Sequence, residues 1–392
     1  MVPRILMHVG PSVANYSVLS AAVQPNIGFA SPEFNEAMKN SLEGLRYVMG
    51  ANGSYLPFIL PGSGTVAMES VTSFLHKGAR ILVVSNGVFG DRWEAILGRY
   101  PVEMKVLRSE PGKAVPLEDI EREISSGKYF AIAMTQVETS TGVRLDVRAV
   151  SKAVRGKVDL IIVDGVASIG GEEMKAAEWG IDVCLTASQK GLGAQAGSGL
   201  IVASEQAIRL LEKPSVAGYF MDLRNWRDIM SRFLSGEGGY FATPPIGTVF
   251  SISRSMDLIR KETLERRIRR HEICAEAFRK GIENMGLRIL ADEGLQSNTV
   301  SGVMSEGISI ADFLSKALSN GVEFAAGVHP ALKGRYFRVG HMGWIEPNHI
   351  IQAINAIETS MVALGKNVKR DSSVEAGEIF QKHPEISAIP NL

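Results

Sequence analysis

Cysteine is scarce in this sequence, with two residues among 392, Cys184 and Cys274. They form neither a disulfide framework nor the ligand spacing of a metal site, which suits a reducing cytosol. An excess of one charge is also missing, because 42 Lys and Arg residues balance 42 Asp and Glu residues. This balance gives no electrostatic reason to expect nucleic acid or an anionic membrane surface as a partner.

Long apolar runs are missing as well. No stretch approaches the roughly 18 consecutive apolar residues that a membrane-spanning helix needs. The first residues, MVPRILMHVGPS, are too short and too polar at their end for a signal peptide. We therefore expect a cytoplasmic protein without a membrane partner. The chain is nevertheless 45% hydrophobic over 392 residues, which can fill a large core and exceeds one average domain.

Apolar strands alternate with amphipathic helices through much of the chain. The strands RILVVS, FAIAMTQ and DLIIVD are almost continuous apolar runs. Such strands predict an α/β fold whose large domain has a mainly parallel mixed sheet, covered by helices on both faces. From about Ser251 the pattern changes to one long charged helix, ending near Met285, and then to short strands and helices. This change predicts a smaller C-terminal α+β domain, hinged by that helix.

The predicted division of the chain has four parts. They are an irregular N-terminal arm at 1–30, the large domain at 31–255, the small domain at 256–366 and a polar tail at 367–392. The tail is expected to form a surface helix or to be partly disordered. No internal repeat or low-complexity tract interrupts this order.

Two polar residues at predicted strand ends carry the main functional signal. Lys190 follows the strand VCLTAS within a glycine-rich loop, and Asp164 ends the strand DLIIVD. Open α/β sheets build their ligand crevices at this edge. A solvated lysine and a helix-capping aspartate are the structural alternatives. The functional interpretation is a site for pyridoxal phosphate, where the amine forms a Schiff base and the carboxylate pairs with the pyridinium nitrogen.

Three more strand ends add weaker signals. The sequence PGSGT at 61–65 opens a helix, and it predicts either a phosphate cradle or an ordinary turn. Phe89 follows RILVVS between glycines and predicts either a stacking face for a cofactor ring or core packing. Thr139 follows FAIAMTQ and predicts either a hydrogen bond to the ring hydroxyl or a hydroxyl-rich turn. The convergence of these groups on one edge favours a ligand site.

Several motifs occur in one order over about residues 8–360: NGVFGDR, QVETSTGV, VDGVASIGG, ASQKGLGA, GYFATPP and YFRVGHMG. In these motifs the chain resembles the class V aminotransferases of fold type I, and most closely the alanine:glyoxylate and serine:pyruvate group. The resemblance implies pyridoxal 5′-phosphate as cofactor and a homodimer with shared active sites. It also implies Lys190 as the Schiff-base lysine and Asp164 as the partner of the pyridinium nitrogen.

The resemblance implies roles for further residues, each matched to a family motif. The implied cofactor contacts are Ser63, Gly64, Thr65, Thr139 and Gln189, with Phe89 at a stacking position where the closest animal relatives carry tryptophan. Tyr240 and Thr243 match a pair that reaches the phosphate in the neighbouring subunit. Arg338 matches the arginine that holds the substrate carboxylate, and Gly28 matches the lip of the substrate pocket together with the Gly10-Pro11 turn.

The expected activity is transamination of serine or alanine with glyoxylate or pyruvate as acceptor. Three alternatives stay open on the same scaffold. A lyase such as a cysteine desulfurase would need a reactive cysteine near the substrate. A transaminase for aminoethylphosphonate or phosphoserine would need extra cationic groups. A silent binding protein would not need Lys190, Asp164 and Arg338 together.

Overall fold

The largest sheet of the protein is mixed. A computed structural model describes residues 4–23 and 27–386, and within these ranges seven strands form this sheet. In spatial order they are Leu56–Pro61, Ser198–Ala203, Val183–Ala187, Leu160–Asp164, Ala131–Thr135, Arg80–Ser85 and Glu103–Arg108. Ser198–Ala203 runs antiparallel to both of its neighbours, and the other strands of the sheet are parallel. The predicted α/β class and the mainly parallel mixed sheet are therefore confirmed.

Helices cover both faces of this sheet. Every residue is buried in the three central strands, Ala131–Thr135, Leu160–Asp164 and Val183–Ala187. Successive side chains of a strand point to opposite faces, so both faces must be covered. The helices up to residue 235 are Tyr16–Ser20, Pro32–Val48, Gly64–Ser70, Val88–Leu97, Leu117–Ser126, Val147–Val154, Ala176–Trp179, Glu205–Leu210 and Arg224–Ser235.

A second, smaller sheet lies in the C-terminal part of the chain. Four antiparallel strands form it within the described ranges, in the order Arg288–Ile289, Val300–Met304, Tyr336–Gly340 and Ala325–Ala326. The helices beyond residue 245 are Ile246–Glu262, Leu264–Asn284, Ile310–Ser319, Pro347–Ala363 and Ser372–Lys382. None of the helices within residues 4–23 and 27–386 combines the length and the hydropathy that a membrane span requires.

The prediction of one long charged helix up to Met285 is wrong, because the helix breaks at Thr263. This residue has a positive φ of 67°, and its hydroxyl accepts a hydrogen bond from the Arg266 backbone N–H at 3.4 Å. A branched residue at positive φ is strained. Buried ion pairs span the break, because Glu262 accepts hydrogen bonds from Arg267 and Arg270 at 3.1 and 2.6 Å. Arg267 also donates to the carbonyl of Gly191 at 2.8 Å and so anchors the loop after Lys190.

The described part of the predicted irregular arm contains regular structure, and the described part of the tail forms a helix, one of its two predicted states. Within the arm, Ile5–Leu6 pairs in parallel with Val322–Glu323, and Tyr16–Ser20 forms a short helix. The tail contains the helix Ser372–Lys382, which packs on the helix Leu264–Asn284. Residues 1–3 and 24–26 of the predicted arm and 387–392 of the tail lie outside the described residues.

Candidate active site

The candidate site is a cavity at the carboxyl ends of the parallel strands. Its volume is about 220 Å³. The loops that leave the strands Leu56–Pro61, Arg80–Ser85, Leu160–Asp164 and Val183–Ala187 reach it together. Its lining residues are Ser63, Gly64, Thr65, Met68, Phe89, Arg92, Asp164, Val166, Gln189 and Lys190. The structure thus brings together most of the residues that the sequence predicts as cofactor contacts.

Lys190 is buried at the floor of this cavity against the N-terminal arm. Its Nζ donates a hydrogen bond to the carbonyl oxygen of Val9 at 2.5 Å. Burial, together with the nearby positive charge of Arg338, lowers the pKa of the amine to about 8. A lowered pKa provides the neutral amine that a Schiff-base lysine needs.

Gly10 is required where the arm crosses this lysine. Its φ is +135°, and a Cβ at this position would lie 2.5 Å from Cε of Lys190. The next residues continue the contact, because Ser12 Oγ donates to the carbonyl of Lys190 at 2.6 Å. Ser12 N donates to the carbonyl of Gln189 at 2.9 Å. The arm therefore holds the lysine loop in place through the backbone N–H and the hydroxyl of Ser12.

Asp164 is a buried carboxylate with two neutral donors. It accepts hydrogen bonds from Val166 N at 2.8 Å and from Thr135 Oγ1 at 3.4 Å. Burial raises its pKa to about 6, since the charged form loses its hydration. No cationic side chain in the described part of the chain forms an ion pair with it. The carboxylate is thus suited to a cationic group from a ligand.

Glu138 holds the first turn of the helix that carries Phe89, and sequence analysis did not assign it a role. Its fully buried carboxylate accepts from Phe89 N and Gly90 N at 3.1 and 3.0 Å. It also accepts from Ser140 N at 2.9 Å and from Ser140 Oγ at 2.6 Å. The helix Val88–Leu97 has no side-chain cap of its own, so Glu138 replaces one. The signal available in the sequence was a single acidic residue three positions beyond the buried strand Ala131–Thr135.

Arg338 joins the small sheet to the turn that contains Thr139. Its Nε donates to the carbonyl of Ala326 at 2.8 Å, and its Nη1 donates to the carbonyl of Thr139 at 3.2 Å. Burial lowers the pKa of the guanidinium. Neither Arg338 nor Thr139 belongs to the lining of the 220 Å³ cavity. The positive charge of Arg338 nevertheless affects the cavity, because it lowers the pKa of Lys190.

Besides Arg338 and Thr139, three further predicted residues lie outside the cavity of their own chain. Tyr240 is 54% exposed, and its ring contacts Phe29 with a centroid distance of 4.7 Å. Thr243 and Gly28 are also exposed. A Cβ placed at Gly28 would meet no atom within 4 Å. The single chain therefore does not bring these residues to Lys190.

The residues present fit pyridoxal 5′-phosphate. The cavity combines a buried amine on Lys190 with a buried carboxyl group on Asp164. Gln189 Oε1 is buried and, within the described ranges, has no hydrogen-bond partner. A Cβ at Gly64 would lie 2.7 Å from a methyl carbon of Val166, so this wall admits only glycine without rearrangement. These groups can take an aldehyde, a ring nitrogen and further polar atoms of one ligand.

Comparisons with known proteins agree with this chemistry. Residues 11–345 match the family model of the class V aminotransferases. The chain is 35% identical over 354 residues to alanine–glyoxylate aminotransferase 1 of Saccharomyces cerevisiae, covering 86% of this chain and 91% of the relative. It is 30% identical over 386 residues to a serine–glyoxylate aminotransferase of Methylorubrum extorquens, covering 95% and 94%.

A solved structure extends the likeness to the whole fold. The ureidoglycine–glyoxylate aminotransferase of Bacillus subtilis superposes with a TM-score of 0.90 at 27% identity, covering 97% of this chain and 99% of that one. The family model covers most of the chain, including the strand ends that form the cavity. The resemblance that the motifs indicated is confirmed, and the protein is a member of the class V aminotransferases.

Proposed function

We propose that this aminotransferase moves the amino group of serine or alanine to a small 2-oxo acid, glyoxylate or pyruvate, with pyridoxal 5′-phosphate as cofactor. The observation that carries the proposal is the cavity in which the buried Lys190 amine and the Asp164 carboxyl group lie together. Glyoxylate is favoured as acceptor because it appears in the names of the yeast, Methylorubrum and Bacillus relatives, whose donors differ.

The chain's own residues supply binding and proton transfer. When bound, the cofactor supplies an electron sink for the bond that breaks at the substrate Cα. Asp164 would hold the ring nitrogen of the cofactor through its carboxylate and stabilise a positive charge there. The neutral amine of Lys190 would take the proton from the substrate Cα and give it to the carbon of the cofactor's former aldehyde group, as general base and then general acid. Arg338 grips the substrate carboxylate with two parallel hydrogen bonds and thereby fixes the direction of the Cα–H bond.

The proposed assembly is a homodimer in which Tyr240 and Thr243 complete the partner's phosphate site. Both residues are exposed on their own chain and lie outside its cavity. Large apolar side chains are exposed in the same part of the sequence and in the arm: Tyr16, Leu19, Val23, Tyr219 and Phe220. Exposed apolar surface of this kind is typical of protein interfaces, and twofold dimers are the commonest assembly.

The structure gives the cysteine desulfurase alternative no support. Cys184 is buried in the strand Val183–Ala187, and Cys274 is buried in the helix Leu264–Asn284. Burial raises the pKa of the Cys274 thiol to about 12, and it raises the pKa of Cys184 as well. A buried, protonated thiol is a poor nucleophile.

A panel of amino donors with glyoxylate and with pyruvate tests the activity, read by product formation. We expect turnover with serine or alanine, and a visible cofactor absorbance band that borohydride removes. Lys190→Ala should abolish turnover and keep the fold. The exposed Lys157→Ala serves as control and should behave as wild type. Turnover by Lys190→Ala at the wild-type rate, or a wild-type protein without the absorbance band, would contradict the proposal.

Mixing two inactive variants tests the shared site. One variant is Lys190→Ala, and the other carries Tyr240→Ala together with Thr243→Ala. A hybrid dimer would contain one complete site, so the mixture should regain part of the activity after subunit exchange. A fully active monomer in sedimentation, or no recovery in a mixture shown to contain hybrids, would overturn the shared-site proposal.

A further inference from the structure

Arg92 is a cation in the cavity to which the sequence analysis gave no role. It lies one turn after Phe89 in the helix Val88–Leu97, and it lines the cavity beside Ser63, Gly64 and Thr65. Its Nη1 donates a hydrogen bond to Thr65 Oγ1 at 3.0 Å. Its Cζ lies 4.6 Å from the centre of the Phe89 ring. The guanidinium is thus fixed between the first turns of the helices Gly64–Ser70 and Val88–Leu97 at this side of the cavity.

The positive charge of Arg92 has no carboxylate partner in the part of the chain that the structure describes. Among residues 4–23 and 27–386, no carboxylate forms an ion pair with this half-buried guanidinium, although many other arginines have one. A guanidinium carries five N–H donors, and the contact with Thr65 uses one of them. Cations that are partly removed from water are costly unless an anion accompanies them. The arrangement therefore favours an anionic ligand group next to Arg92.

Two anions are candidates, the phosphate of the cofactor and an acidic group at the far end of a substrate. The contacts favour the phosphate, because Arg92 is bound to Thr65, the neighbour of Ser63 and Gly64 in the predicted phosphate cradle. The predicted carboxylate-binding residue, Arg338, makes its contacts with Ala326 and Thr139 instead and does not line this cavity.

We propose that Arg92 is a cofactor-binding residue whose guanidinium pairs with the phosphate of pyridoxal 5′-phosphate. The inference rests on the proposed cofactor and adds a cationic contact to the predicted cradle. A planar guanidinium can give two parallel hydrogen bonds to phosphate oxygens, which lysine cannot reproduce. The contact with Phe89 holds this group in one orientation and lowers the entropy lost on binding.

The test compares two ligands that differ by the phosphate group alone. Cofactor-free protein is titrated with pyridoxal 5′-phosphate and with pyridoxal, and the Kd values are measured by absorbance. Arg92→Gln should raise the Kd of pyridoxal 5′-phosphate about tenfold to a hundredfold, the range for a hydrogen bond to a charged group. The Kd of pyridoxal should change less than about twofold. Arg92→Lys should lie between the wild type and Arg92→Gln.

The control variant is Arg99→Gln, which removes the same charge from an exposed position just beyond the same helix. It should leave both Kd values unchanged. If Arg92→Gln lowers thermal stability, the Arg92→Lys comparison, which keeps the charge, still decides between the outcomes.

Three results would overturn the inference. An equal rise in the Kd of both ligands would mean that Arg92 acts by positioning Phe89 and not by contact with the phosphate. Unchanged Kd values with a raised KM for aspartate or phosphoserine, against an unchanged KM for alanine, would place an acidic substrate group there. A wild-type protein that binds neither ligand would contradict the proposed function as well. If the wild type binds pyridoxal 5′-phosphate and Arg92→Gln leaves its Kd unchanged, only the role of Arg92 is refuted.

Discussion

Asp164→Asn should stabilise the cofactor-free protein against unfolding and should weaken its affinity for pyridoxal 5′-phosphate. In the folded protein burial raises the pKa of Asp164 from 3.8 to about 6. This rise corresponds to about 3 kcal/mol, at 1.36 kcal/mol for each pKa unit. The contribution of this carboxyl group to folding is therefore most favourable below about pH 4, where it is protonated and no charge is buried. That contribution is lost as the pH rises to about 6, because the folded state then has to bury a charge.

The neutral amide removes this cost. Asn can still accept the hydrogen bond from Val166 N and can donate to Thr135 Oγ1, so both existing contacts keep a partner. At pH 7.5 the cofactor-free variant should be more stable than the wild type by up to about 3 kcal/mol. Near pH 4 the difference should vanish, because Asp164 is then protonated in the wild-type fold.

The assay is urea unfolding of the cofactor-free proteins at both pH values, compared through the midpoints. The exposed Asp159→Asn serves as control and should shift neither midpoint. The same Asp164→Asn variant should bind pyridoxal 5′-phosphate roughly tenfold to a hundredfold more weakly, because a charge-assisted hydrogen bond is lost. A variant that is less stable at pH 7.5, or equally stabilised at both values, would refute the reasoning.

Three further predictions follow from the same contacts. The rate at which cofactor-free protein attaches pyridoxal 5′-phosphate should rise with pH through about 8, the lowered pKa of Lys190, because the neutral amine is the nucleophile; stopped-flow absorbance measures it, and a flat profile from pH 6 to 9 would contradict it. Arg338→Lys should lose on the order of tenfold to a thousandfold in kcat/KM for alanine or serine, roughly 1.4–4 kcal/mol, with nearly unchanged cofactor absorbance; unaltered kinetics would make this arginine structural. Glu138→Gln should destabilise the protein by about 2 kcal/mol in urea unfolding, because its amide group must face N–H donors of Phe89, Gly90 or Ser140; a neutral result would show that the carboxylate does not hold the first turn of this helix.

The order of strands and helices could be predicted from the sequence because it is encoded locally. Continuous apolar runs such as Leu160–Asp164 and Val183–Ala187 identify buried parallel strands, and all their side chains are buried in the structure. Parallel strands end at one edge, so the placement of Lys190 and Asp164 in one cavity followed from their positions alone. The prediction of one long charged helix failed because charge and periodicity continue across Thr263, and neither of them marks its positive φ of 67°.

The sequence by itself determined the fold class, the family and the strand ends on which the cavity is built, because periodicity and short motifs carry that information. Only the tertiary structure decided which distant groups meet there. Glu138 reaches Phe89 across 49 positions of the chain, and Lys190 reaches the Val9 carbonyl across 181 positions. No local pattern specifies such contacts, since they arise when separate loops are packed against one edge of the sheet. The pairing of Arg92 with Thr65 has the same origin, because the helices Val88–Leu97 and Gly64–Ser70 become neighbours only after the sheet has formed.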